Sequence, residues 1–164
     1  MLRQTVTLFL LVGLPLGAQQ KSSNTPTDPA GVMVRGDGFE GVIFPAEMKA
    51  LNSYSGGKQM QYWTPSEADI VEAESKLVAF LQQTKAPKFQ QEKILKNIKT
   101  YKRQYVGVVK NGEQDIFINF FCDSGHVEWT KHFVMVSDGG ACFFQVTFST
   151  KTKTFSDLMV NGVA

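Results

Sequence analysis

His126 and His132 are the only histidines of the chain, and Asp123 lies close to them. An imidazole beside a carboxylate is half of an acid–base device, but no nucleophile stands with this pair. A six-residue spacing across a loop and a strand start does not match a metal-ligand pattern, so both read as surface histidines. Asp138-Gly139-Gly140 begins like a calcium loop but lacks the further spaced acids that a hard cation needs. A hairpin turn accounts for it. The chain contains no glycine-rich phosphate loop ending in Lys-Ser/Thr, no Gly-x-Ser-x-Gly and no His-Glu-x-x-His. No catalytic residue, metal site or cofactor is expected. What remains is a cysteine pair, Cys122 and Cys142, and a group of amides and aromatics: Gln104, Phe117, Asn119, Phe121, Phe143 and Gln145.

The elements that position this group can be read from periodicity. Thr64-Pro65-Ser66-Glu67 is a helix start. Thr64 would cap the first free N–H groups, Pro65 lacks the N–H that would go unpaired, and Glu67 would reach back to Thr64. The helix is predicted from Pro65 to Gln83, with Ile70, Ala73, Leu77, Phe80 and Leu81 on its apolar face. Ala86-Pro87 ends it, and a second short helix is predicted over Phe89–Ile98. The period then changes to two. Tyr101–Lys110 and Glu113–Cys122 flank Asn111-Gly112, two residues that accept positive φ, so they read as a tight hairpin. Pairing Lys110 with Glu113 sets Gly107 opposite Ile116, Tyr105 opposite Ile118 and Arg103 opposite Phe120. After a loop over Asp123–Thr130, three more strands are predicted at His132–Val136, Ala141–Ser149 and Thr154–Val160. Upstream, Phe39–Phe44 reads as a short strand ended by Pro45.

Alternation sorts these strands into two faces. Tyr101, Tyr105, Ile116, Ile118, Phe120, Phe133, Met135, Phe144, Val146 and Phe148 make an apolar face for the helix. Arg103 interrupts it and is expected near an edge, with its guanidinium in water. The other face mixes Gln104, Asn119 and Gln145 with Phe117, Phe121 and Phe143. Two readings apply. The segment from Gly31 to Met60 folds over the aromatics, or the face is a binding surface on which Phe supplies area and amides supply orientation. On the second reading Asn119 is free to contact a ligand.

The cysteines carry opposing arguments. An even count in an exported chain favours a Cys122–Cys142 bridge. In a simple meander, however, the His132–Val136 strand separates them by two strand spacings, roughly 9 to 10 Å, whereas a bridge needs Cα atoms within about 7 Å. Bridged or free therefore depends on strand order. The geometry tilts the expectation to two unbridged, core-facing thiols.

The chain has 164 residues, 43% hydrophobic and 20% charged, with thirteen Phe and a net charge of +2. Those values exclude wholesale disorder and argue against a general polyanion binder such as a nucleic-acid protein. Residues 1–18 follow the grammar of a secretory signal: Arg3, an apolar run to Leu16, then small residues with cleavage expected near Ala18. The run is too short to span a bilayer, so no stable membrane insertion is expected after cleavage. Residues 19–30 read as a flexible lead-in and 31–164 as one α+β domain. Lys85, Lys88, Lys93, Lys96, Lys99, Lys102, Arg103 and Lys110 read as a solvated, edge-protecting set.

The order of elements over Thr64–Ala164 resembles the cystatin-like layout. Gln104-Tyr105-Val106-Gly107 is similar to that family's Gln-x-Val-x-Gly loop, although Gly107 comes one residue early and the hairpin tip is Asn111-Gly112. Trp63-Thr64-Pro65, Ser137-Asp138-Gly139-Gly140 and Asn161-Gly162-Val163-Ala164 are similar to small exported bacterial proteins without an assigned activity. The resemblance implies one long helix packed on a four- to five-stranded antiparallel sheet. The function expected is an exported, secreted or periplasmic, non-catalytic binding or accessory module for an unknown protein or small ligand. The alternatives are a small hydrolase-like enzyme using a cone-shaped cavity, with His126 or His132 beside an acid, and a self-associating envelope protein.

Overall fold

The computed structural model describes residues 29–48, 51, 60–84, 88–125 and 127–163. The leader, most of the lead-in and His126 lie outside the described residues. Val32–Gly36 (β1) and Phe39–Phe44 (β2) form an antiparallel hairpin, and Gly38 in its turn takes φ +77°. Gln61–Trp63 (β3) precedes two helices, Glu67–Gln83 (α1) and Lys88–Asn97 (α2). Lys102–Lys110 (β4) and Glu113–Phe121 (β5) follow, then Phe143–Ser149 (β6) and Thr154–Val160 (β7).

The strands make one seven-stranded sheet in the order β1-β2-β4-β5-β6-β7, with β3 paired to the far end of β4. The sheet is mixed, because β2 runs parallel to β4, with Val42 beside Gln104 and Phe44 beside Val106. A parallel pair needs a long crossover, and here β3, α1 and α2 supply it. This corrects the expected four- to five-stranded antiparallel sheet under one long helix. The missing strands lie in the segment before the helix, where Val32–Gly36 and Gln61–Trp63 are too short and too mixed in polarity to stand out. Gln61–Trp63 is a strand because β4 offers it part of its second edge, and Val32–Gly36 is one because β2, paired to the rest of that edge, offers its own outer edge.

The β4–β5 register is the one the turn demands: Lys110 faces Glu113, Tyr105 faces Ile118 and Arg103 faces Phe120. Asn111 and Gly112 take φ of 53° and 81° in that turn. The helix starts later than expected. Ser66 is its cap, accepting from the Asp69 N–H at 3.2 Å, while the Asp69 carboxylate accepts from the Ser66 N–H at 2.9 Å. Thr64 is occupied elsewhere, its hydroxyl accepting from the Ala46 N–H at 3.0 Å. Ile70, Ala73, Leu77 and Leu81 then bury on Tyr105, Ile116, Ile118, Phe144 and Val146. Fully burying one such leucine contributes about 1.5–3 kcal/mol. The chain stays tied at its end: Asn161 N–H donates to Phe143 O and Gly140 N–H to Gly162 O.

The second correction is at His132–Val136, which is not a strand. β5 pairs directly with β6, Phe121 opposite Phe143, so nothing intervenes between the cysteines. Cys122 and Cys142 form a disulfide with Cα atoms 5.1 Å apart, inside the bridging limit. They are neither free nor core-facing, since Cys122 is exposed and Cys142 half-buried. Phe133 and Met135 also leave the face assigned to them; Phe133 packs with the cluster on the other side of the sheet.

Candidate functional site: an amide ladder and its cleft

Register places Gln104, Asn119 and Gln145 side by side on β4, β5 and β6. Their side chains form a row of hydrogen bonds across the sheet. Gln145 Nε2 donates to Asn119 Oδ1 at 3.1 Å, and Asn119 Nδ2 donates to Gln104 Oε1 at 3.1 Å. Gln104 Nε2 ends the row by donating to the Trp129 and His132 carbonyls at 2.6 and 2.7 Å.

The row also holds the segment that was expected to be a strand. Val134 N–H donates to Gln104 Oε1 at 2.9 Å, and Val134 O accepts from Asn119 Nδ2 at 2.8 Å. Both backbone groups of Val134 thus find partners in side-chain amides rather than in a neighbouring strand. The segment has the two-residue period of a strand in its sequence, but it lies across the face of the sheet, with Val134 buried against the amides. Gln104 and Asn119 are fully buried as a result. Burial of an amide is tolerated only with its partners made, and these are made.

Two of the six residues singled out from sequence therefore act as struts. Phe121 is buried beneath the same loop, its ring 5.9 Å from that of Trp129. Phe143 is half-buried at the start of β6 against Gly139. The segment before the helix covers part of this face, since Val42, Phe44, Met48 and Leu51 join Val106, Val108 and Phe117 in a second apolar cluster, and Trp129 and Phe133, which were not expected as a cover, complete it.

Phe117, Asn119 and Gln145 meet at an open cleft of about 280 Å³. Met135 and Val136 wall it on the loop side, and Met159 and Asn161 wall it on the β7 side. Met135 and Met159 are 64% and 55% exposed, so the cleft has an apolar rim. Gln145 Oε1 takes no hydrogen bond among the described residues, although the Gln145 amide is held in place by Asn119. Asn161 is anchored similarly, its amide donating to Val136 O at 2.6 Å and Asp138 O at 3.1 Å. The cleft therefore presents an oriented acceptor between flexible thioethers. That suits an apolar group flanked by a hydrogen-bond donor. Met135, Val136, Met159 and Asn161 were not singled out from sequence, because only the path of the loop brings them to Gln145.

The helix side of the sheet holds a second polar cluster, and it corrects the placement of Arg103. The guanidinium is buried, not solvated. Its Nε donates to Glu74 Oε1 at 3.0 Å, Nη1 to Tyr101 O at 2.7 Å and Nη2 to Ile98 O at 3.0 Å. Tyr105 Oη donates to the same Glu74 oxygen at 2.9 Å. Gly41 makes the room: a Cβ there would meet the Tyr105 ring at 2.4 Å. Burial pushes the Glu74 carboxyl up from its ordinary value, outweighing the opposing pull of Arg103 and the hydrogen bonds from Tyr105 and Arg103. Burial, with Glu74 beside it, pushes the Tyr105 phenol up as well. A sequence signal for the pair existed. Arg103 stands opposite Phe120 on an otherwise apolar face, and Glu74 lies four residues after Ile70, one turn along the inner side of α1.

His132 is exposed, and its backbone carbonyl, not its ring, meets Gln104. Among the described residues no group of three or more His, Cys, Asp or Glu side chains gathers as a metal set, and no helix is long and apolar enough to cross a membrane. No family model, curated protein or solved structure matches this chain.

Proposed function

We propose that the protein is an exported, non-catalytic binding module, and that its contact surface is the cleft between the 133–136 segment and β7. One observation carries this reading. The amide row ends on a carbonyl, Gln145 Oε1, that has no partner among the described residues and is set between the exposed Met135 and Met159. An acceptor held rigid by its own N–H bond loses little freedom on binding. Methionine walls adapt to the shape of an incoming apolar group. The occupant is a protein segment that offers an apolar side chain next to a backbone N–H. Export is supported by the Cys122–Cys142 disulfide, a linkage that persists in oxidising compartments, together with the signal-like residues 1–18.

A photo-crosslinking amino acid in place of Met159, in the chain beginning at Gln19, tests the reading in its native extract. The expected result is a discrete crosslinked partner protein whose yield falls roughly tenfold in Gln145→Leu, the loss of about one hydrogen bond. Crosslinks only between copies of the chain would replace the proposal by self-association. No crosslink at position 159, with one at Val71 on the opposite side of the sheet, would move the surface elsewhere.

A further inference from the structure

A cavity of about 260 Å³ opens on the helix side of the sheet, between α1, the β1–β2 turn and the Ile98-Lys99 turn. Phe39, Val71, Leu77, Val78 and Ile98 make its wall largely apolar. Val71 and Val78 lie seven residues apart on α1, so they flank Glu74 along one stripe of the helix. Both valines are more than two-fifths exposed, although they border a cavity rather than a crowded surface.

The floor of this cavity is the buried ion pair. Arg103 and Tyr105 both donate to Oε1 of Glu74, and Oε2 receives no hydrogen bond among the described residues. Among the described residues no side-chain oxygen or nitrogen is at once sealed from solvent and unpartnered. Oε2 therefore opens on the cavity that Glu74 lines. The carboxylate cannot swing to satisfy it, because Arg103 is itself held by two backbone carbonyls and sits over the Phe39 and Phe120 rings at 5.8 and 5.3 Å.

The charges around the cavity balance. Arg103 compensates Glu74 at the floor, and Lys99 compensates Asp37 at the rim. A charged ligand would leave the floor with a net charge in a half-desolvated place, which is costly. A neutral ligand would not. An engineered cavity of roughly 150 Å³ holds benzene, so the space here admits a substituted ring.

We propose that this cavity is a second ligand site, for a small neutral molecule that lays an apolar body against Phe39, Val71 and Val78 and donates one hydrogen bond to Glu74 Oε2. A phenol-type or alcohol-bearing ring has that chemistry. The site is separate from the amide-face cleft and does not depend on it.

The probes are p-cresol and 4-methylanisole, which share a ring and an oxygen but differ in the hydroxyl hydrogen. Each is titrated into the folded chain and followed by the Val71 and Val78 methyl resonances. The expected result is a saturable shift with p-cresol and binding at least about tenfold weaker for 4-methylanisole, as one hydrogen bond to a charged group requires. Val78→Trp fills the mouth from an exposed position and is expected to abolish binding with an unchanged thermal melt. Equal affinity for the two probes would remove Glu74 from the site. No saturable shift with p-cresol, or undiminished binding in Val78→Trp, would overturn the proposal.

Discussion

Arg103 Nε lies 3.0 Å from Glu74 Oε1, with the two side chains only 2% and 7% exposed. The pair joins β4 to α1 across the centre of the apolar core, which makes it the one buried ionic contact between the sheet and its helix among the described residues. A buried pair of this kind is costly to break from one side, because the remaining charge is left without compensation.

Arg103→Met alone is therefore expected to destabilise the protein by about 3–5 kcal/mol, since Glu74 stays buried and unpaired. The double variant Arg103→Met with Glu74→Leu should recover part of that loss, the rest remaining because Tyr101 O, Ile98 O and Tyr105 Oη have lost their partners. Urea denaturation of the two variants measures both numbers. A double variant no more stable than the single one would show that the pair is not coupled.

The same pair sets a pH dependence. The Glu74 carboxyl is raised in the folded state by burial, so the folded chain holds this proton more tightly than the unfolded chain does. Its contribution to stability is fully present below the ordinary value of 4.5 and is lost as pH rises through the higher folded value. The unfolding free energy of the wild type, relative to that of Glu74→Gln, should therefore decline as pH rises from the ordinary value of 4.5 through the higher folded value. A difference that grew over that range would reverse the assignment.

Removing the disulfide acts mainly on the unfolded chain. With the cysteines 20 positions apart in sequence, Cys122→Ser with Cys142→Ser should cost about 3 kcal/mol by loop-closure entropy. Alkylation of the unreduced, denatured protein should add no label, read by intact mass. Two labels would mean the thiols are free.

Gln104→Leu removes four hydrogen bonds at once, those to Trp129 O, His132 O, the Val134 N–H and Asn119 Nδ2. A loss of about 2 kcal/mol or more is expected, because the Val134 N–H loses its partner in a buried place and the two carbonyls lose theirs in part-buried ones. Hydrogen exchange at the Val134 amide should accelerate well beyond the general rise. Asn119→Leu frees Val134 O in the same way, so it acts on the fold as well as on binding.

Ser66→Ala should cost about 1 kcal/mol as a lost helix cap. Thr64→Ala should instead loosen the segment at Ala46, without changing the start of the helix in amide exchange.

Local signals carried much of this architecture. Asn111-Gly112 specified the β4–β5 register on its own, because only residues tolerant of positive φ close a two-residue turn, and the register then sorted every side chain of two strands by face. The apolar stripe Ile70, Ala73, Leu77, Leu81 specified the inner side of α1 for the same reason of period. The cap was shifted by two residues because Thr64 and Ser66 both begin a capping pattern, and the choice between them was made by Ala46, far away in the chain. Contacts between distant segments were not legible. His132–Val136 has the sequence period of a strand, but whether such a segment pairs edge to edge or lies across a face depends on what the facing surface offers. Here Gln104 and Asn119 offered hydrogen bonds that a strand edge would have supplied. That single substitution of side chains for a ladder brought β5 beside β6, joined the cysteines and opened the cleft at Gln145. A charge alone favours water, and only the approach of α1, with Glu74 at contact distance and Gly41 leaving room, makes the interior acceptable for Arg103.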